Sequence, residues 1–294
     1  MLVIIDGTGE ASDSAYNRTM ANGFLKRLEK ESSVFPKVYF RGPTWSGTEC
    51  EDIVQHALNW ISNKMQGLHR GDTPQLFLAG YSRGGTIAIA IAQAIQKLAY
   101  NPNEQYKYDR GTYFIDPDNA SKFQAELYND YARLWYELNK NIKCIALFDA
   151  VDRALFIDTD VIPKNVKMAY HALRSPIAGS RRSFGNTGTS HELGGAHYQQ
   201  RHFLCTHAGM GGIPWTGDHP TEFTPVMQRV VKVMNTFSIV DSSVVIDIVR
   251  DEGIGYGPIS GLTKPLLTEQ QDIVGSKKVH DWMWENMRKE GMLG

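Results

Sequence analysis

Gln75-Leu76-Phe77-Leu78-Ala79-Gly80-Tyr81-Ser82-Arg83-Gly84-Gly85-Thr86-Ile87-Ala88-Ile89-Ala90-Ile91-Ala92 is the stretch that decides the fold. Its first residues are short and apolar, as a strand buried on both faces should be. Its last residues, continuing to Ile95 and Leu98, are apolar almost all round, as a helix packed inside an α/β sandwich would be. Between them stands Gly80-Tyr81-Ser82-Arg83-Gly84, a G-x-S-x-G pentapeptide. A sharp strand-to-helix turn of this kind needs small residues on both sides, so that the serine Oγ projects above the sheet. Ser82 is therefore the candidate nucleophile.

Working outward, the same alternation of strand and helix recurs. Leu2 to Ile5 reads as a strand ending in the loop Asp6-Gly7-Thr8-Gly9. Helical patterns follow at Asn17 to Lys30 and Glu51 to Met65, with a strand between them at Lys37 to Phe40. Ile142 to Phe148 reads as a buried strand, Val166 to Leu173 as another, and Arg201 to Thr206 as the last. The final helix is expected at Lys277 to Arg288. Alternation of this kind predicts one α/β-hydrolase-like domain over residues 1–294, with a doubly wound, mainly parallel sheet. Two segments, 100–140 and 213–271, read as lid insertions. In the first, Phe123, Leu127, Tyr131, Leu134 and Leu138 form an apolar helical stripe.

Composition narrows the function classes. The 294 residues are 42% hydrophobic and 21% charged, enough for a large core. A net charge of -1 with no lysine-arginine run gives no electrostatic reason to expect nucleic acid or a basic membrane patch. No apolar run reaches the roughly 20 residues that span a bilayer, so contact with a membrane would be transient and at its surface. Cys50, Cys144 and Cys205 have no metal-ligand spacing and suit a reducing compartment. The opening Met1-Leu2-Val3-Ile4-Ile5 is too short for a signal peptide. The expected location is the cytoplasm of the producing cell, with any export by a signal-independent route.

A serine nucleophile needs a base and an acid, which in α/β-hydrolases follow in the order Ser, Asp or Glu, His at the carboxyl ends of strands. Asp149 closes the strand Cys144-Ile145-Ala146-Leu147-Phe148, and His207 closes Phe203-Leu204-Cys205-Thr206. Asp152 and Asp218 are rival acids, but a strand end holds a carboxylate more rigidly than a loop. The oxyanion hole would draw N–H groups from Arg83 and from Gly7 or Thr8. Tyr81, Tyr128 and Trp135 are candidate substrate contacts.

Other motifs fail on spacing. Ile4-Ile5-Asp6-Gly7-Thr8 would place Ile4 where an aspartate phosphatase has its nucleophile. Gly42 to Thr48 lacks the lysine of a phosphate loop. His191 and His197 lie six apart across a Gly-Gly break, where a helical zinc site wants them four apart. No metal and no cofactor is expected.

Taken together these residues resemble the type VI secretion lipase-effector (family one) α/β-hydrolase domain. Similarities run in order through Asp6-Gly7-Thr8, Gly71-Asp72, the elbow and Phe148-Asp149-Ala150-Val151. They continue through Tyr170-His171-Ala172-Leu173, Arg181-Arg182-Ser183-Phe184 and His207-Ala208-Gly209-Met210-Gly211-Gly212, with Trp282-Met283 as an echo in the last helix. The chain departs from the family's pattern at Ile89, at Gly209 and around Arg174-Ser175. The resemblance implies hydrolysis of carboxylic esters, with phospholipid or other lipid acyl esters as substrates. The alternatives are an esterase or thioesterase acting on a small soluble substrate, and a catalytically inactive binding or signalling module. Oligomeric state is not legible in the sequence.

Overall fold

A computed structural model describes residues 1–44, 46–66, 68, 72–100, 133–152, 159–178, 180, 185–214 and 267–294. Six strands form the central sheet: β1 (Leu2–Ile5), β2 (Lys37–Phe40), β3 (Leu76–Tyr81), β4 (Ile142–Phe148), β6 (Val166–Arg174) and β8 (His197–Phe203). Their spatial order is β2-β1-β3-β4-β6-β8, and every pairing is parallel. The two-residue strands β5 (Val161–Ile162) and β7 (Ser190–His191) pair separately. This is the α/β-hydrolase-like doubly wound arrangement.

Period-two alternation divides the core into two layers. Val3, Ile5, Leu76, Leu78, Ile145 and Leu147 face the helices α3 (Cys50–Met65) and α4 (Arg83–Tyr100). Leu2, Ile4, Phe77, Ala79, Cys144, Ala146 and Phe148 face α2 (Phe24–Glu31) and the last helix, α6 (Glu269–Lys289). Both faces are covered, so the central strands are almost wholly apolar, with Lys143 near the start of β4 the exception. Each large side chain so buried contributes about 2 kcal/mol.

Three boundaries differ from the sequence reading. The single helical stretch expected near the start is two helices, α1 (Asp13–Met20) and α2. The chain breaks at Gly23, whose N–H returns to Met20 O, while Phe24 N–H is taken by Gly211 O. The last strand runs from His197 to Phe203 rather than to Thr206. The last helix begins at Glu269 because Thr268 and Gln271 form a capping box, each side chain taking the other's backbone N–H. Val279, Met283 and Met287 then fall one turn apart on its buried face.

Of the two segments read as insertions from the sequence, residues 101–132 and 215–266 lie outside the described residues. Residues 133–139 are helical, and Leu134, Trp135 and Leu138 are buried in the layer that holds α3 and α4. Among the described residues no helix is long and apolar enough to cross a membrane.

Candidate active site

β3 ends at Tyr81 and α4 begins at Arg83, so Ser82 occupies the turn alone. Its φ is 55°, in the left-handed region that non-glycine residues seldom adopt. Three bonds fix it there: Ser82 N–H donates to Phe148 O at 3.0 Å, and its carbonyl accepts from Gly85 at 2.9 Å and Val151 at 3.4 Å. The flanking glycines are needed for space. A Cβ on Gly80 would lie 2.3 Å from Gly84 O, and one on Gly84 would lie 2.3 Å from Ile5 O. The turn has the sharp strand-to-helix geometry expected of an elbow.

One strand over, Asp149 follows β4 with φ 49°, its N–H held by Ala172 O at 2.8 Å. The carboxylate is wholly buried and accepts four bonds. Oδ1 takes Asn186 Nδ2 at 2.8 Å and Arg174 N–H at 3.3 Å; Oδ2 takes His207 Nδ1 at 2.7 Å and Arg174 Nη1 at 2.5 Å. Burial opposes its charge, but the Arg174 guanidinium, His207 and Asn186 together hold the carboxyl well below the usual carboxylate range.

His207 opens the short helix α5 (His207–Met210), N-capped by Thr206, whose hydroxyl accepts Gly209 N–H. Its backbone is pinned at both ends: N–H donates to Ser180 Oγ at 3.0 Å, and the carbonyl accepts from Tyr81 OH at 2.9 Å. Nε2 lies 2.9 Å from Ser82 Oγ. With Nδ1–H given to Asp149, Nε2 carries the lone pair and faces the serine hydroxyl. Ser82, His207 and Asp149 thus form one continuous hydrogen-bonded chain from residues far apart in sequence. Asp152 instead sits beyond Asp149, its N–H donated to Gly185 O. Asp218 and Tyr128 lie outside the described residues.

The loop after β1 packs against this turn; a Cβ on Gly7 would be 3.4 Å from Ser82 Cβ. Gly7 N–H points to Asp6 Oδ1 at 2.8 Å, whereas Thr8 N–H meets no acceptor among the described residues. Of the two loop donors expected, Gly7 is thus engaged by Asp6 and Thr8 is not. Asp6 is buried and also accepts from Tyr39 OH at 2.6 Å. Burial pushes its pKa up to about 6, against the pull of Tyr39, Gly7 and Lys26. Tyr16 completes the support, donating to Gly7 O and accepting Gly42 N–H.

Tyr81 is 6% exposed and serves His207, its ring 5.2 Å from the imidazole, rather than lining open space. Trp135 is accounted for by packing in the core. Sequence reasoning did not name Asn186 or Asp272, and it gave His171 and Arg174 no role in the site. For Arg174 the pairing itself is the missing signal: β4 and β6 pair with Phe148 opposite Ala172, so the residue ending β6 emerges beside Asp149. His171 is buried, accepts Ala150 N–H on Nε2 at 3.2 Å, and has Nδ1 3.3 Å from Gly188 O. Burial lowers its pKa to about 4, so it stays neutral. Among the described residues no group of three or more His, Cys, Asp or Glu is placed to hold a metal ion.

No protein-family model and no curated protein sequence matches the chain. Among solved structures, the chain is similar to the Tle1 effector bound to the VgrG spike from the type 6 secretion system, with TM-score 0.37 and 13% identity. The likeness covers 74% of this chain and 51% of that one, so the chain spans about half the length of that effector.

Proposed function

We propose that the chain is a serine hydrolase that cleaves carboxylic esters through an acyl-enzyme. The observation that carries this reading is the unbroken chain Ser82 Oγ, His207 Nε2, His207 Nδ1, Asp149 Oδ2, with both links within 2.9 Å. Ser82 Oγ attacks the ester carbonyl carbon while His207 Nε2 takes its proton. The tetrahedral oxyanion accepts N–H bonds from Thr8 and Arg83, each worth about 3 kcal/mol of barrier. The carbon–oxygen bond to the alcohol then breaks, and His207 returns its proton to the leaving oxygen. Water, deprotonated by the same imidazole, releases the acid and restores Ser82.

Lipid acyl esters are the substrate class we infer, supported by the ordered motifs from Asp6-Gly7-Thr8 to His207, which resemble those of lipase effectors. Fluorophosphonate labelling tests the enzyme reading. The reagent should modify Ser82 and no other serine, and Ser82→Ala should abolish labelling and cut turnover about a millionfold. Undiminished ester hydrolysis by folded Ser82→Ala would falsify it.

A further inference from the structure

The acyl-transfer scheme above assigns nothing to Arg174, yet its guanidinium is 7% exposed and lies against the two residues that activate Ser82. Its Nη1 donates to Asp149 Oδ2 at 2.5 Å, the same oxygen that accepts His207 Nδ1 at 2.7 Å. Nη1 and Nδ1 are 3.3 Å apart. Since Nδ1 already carries the proton given to Asp149, Nη1–H has no lone pair to meet there. The contact is two donors converging on one acceptor.

Charge follows from that geometry. While His207 is neutral, Arg174 is the cation that, among the described residues, balances the buried Asp149 anion, which would otherwise be very costly to hold. When His207 takes the serine proton, a second cation forms beside the guanidinium, in a site too buried for water to screen it. Among the described residues, the other groups facing His207 include Ser82 and Tyr81 from the elbow, Ser180 from the loop after β6, and Asp272 of α6 acting through Thr206. Behind Asp149 stands His171, on β6. Among the described residues, Arg174 is the cation in contact with this pair.

We propose that Arg174 is a positioning residue that fixes Asp149 as an anion and lowers the proton affinity of His207. The base then stays neutral, and the enzyme active, into more acidic medium than Asp149 with neutral donors alone would allow. The proposal rests on the serine-hydrolase reading for its consequence, but its measurement does not. The His207 imidazole is titrated by nitrogen-15 NMR in the wild type, Arg174→Gln and Arg174→Lys, and kcat is measured against pH in parallel.

Arg174→Gln should move the His207 midpoint upward by about one pH unit or more, and the acid limb of kcat with it. Arg174→Lys, which keeps the charge but not the fork, should stay within about half a unit of the wild type. An unmoved midpoint in Arg174→Gln, or an equal displacement in both variants, overturns the proposal. Losing half of a buried ion pair destabilises, so if Arg174→Gln does not fold, Arg174→Lys decides alone. A full-unit rise with the charge in place then overturns it, and a retained midpoint upholds it. If the midpoint moves as expected but fluorophosphonate does not label Ser82, the electrostatic coupling stands and the hydrolase reading falls.

Discussion

Asp272, near the start of α6, accepts both the backbone N–H and the hydroxyl of Thr206, at 2.5 and 2.8 Å. Ser276, one turn on, donates to Gly209 O at 2.6 Å. The turn that presents His207 is therefore tied to the C-terminal helix. Asp272→Ala would leave two buried donors of Thr206 without their carboxylate, at a cost of about 2–3 kcal/mol. Urea unfolding should show that loss, and fluorophosphonate labelling of the folded fraction should slow. Labelling at the wild-type rate in a destabilised variant would mean that α6 supports the fold without setting His207.

The two aspartates at the end of β4 should separate cleanly. Asp149→Asn keeps the shape but presents the wrong tautomer of His207, lowering kcat by up to about ten-thousandfold. It also leaves Arg174 partly uncompensated, so its stability should fall as well. Asp152→Asn touches neither residue and should stay within about twofold of the wild type. Steady-state rates on one soluble ester compare them directly; a crippled Asp152→Asn beside a mild Asp149→Asn reverses the assignment.

Asp6 and His171 act on stability with opposite signs over nearly the same pH range. Asp6, raised from 3.8 to about 6, binds its proton more tightly when folded, so stability is lost as pH rises through that interval. His171, lowered from 6.5 to about 4, is held neutral when folded, so stability is lost as pH falls through that interval. Each displacement corresponds to about 3 kcal/mol, and the two nearly cancel between about pH 4 and 6. Asp6→Asn should unmask a stability that climbs with pH across this range, and His171→Gln one that declines. Urea unfolding at several pH values reads both slopes; parallel slopes in the two variants would refute the cancellation.

Trp135, 4% exposed among Leu134, Leu138 and the residues of α3 and α4, should behave as core. Trp135→Ala is expected to cost about 3–5 kcal/mol of stability and to lower Tm, as large-to-small core changes do. Its kcat/KM for esters of increasing chain length should keep the wild-type slope. A flattened slope with unchanged Tm would instead assign Trp135 to the substrate channel.

Much of the site was legible because its chemistry sits where the strand pattern ends. Ser82 and Asp149 directly follow apolar strands, and His207 follows Phe203-Leu204-Cys205-Thr206 just past the polar β8; parallel strands deliver their ends to one edge. The supporting residues were not legible in that way. Arg174 reads as one more surface arginine until β6 is paired with β4. Asp272 precedes the helix expected from Lys277, and only the earlier start of α6 and its packing against α5 bring it under Thr206. Gly7 and Thr8 look equivalent in sequence; the side chain of Asp6 distinguishes them by taking one N–H. The two-residue strands β5 and β7 are too short for any periodicity to show.

Ser82 and Asp149 share a backbone conformation that glycine would adopt freely, and each sits where its strand gives way to a turn. A left-handed residue with a Cβ costs about 1–2 kcal/mol relative to its relaxed form. Ser82→Gly should therefore unfold at higher urea than Ser82→Ala, although both lack the hydroxyl, because alanine inherits the strain and glycine does not. Stability and turnover thus make opposing demands at the elbow. Under the proposed function, robustness alone would favour glycine at position 82, and the left-handed backbone there is the stability cost of placing a nucleophile at the turn.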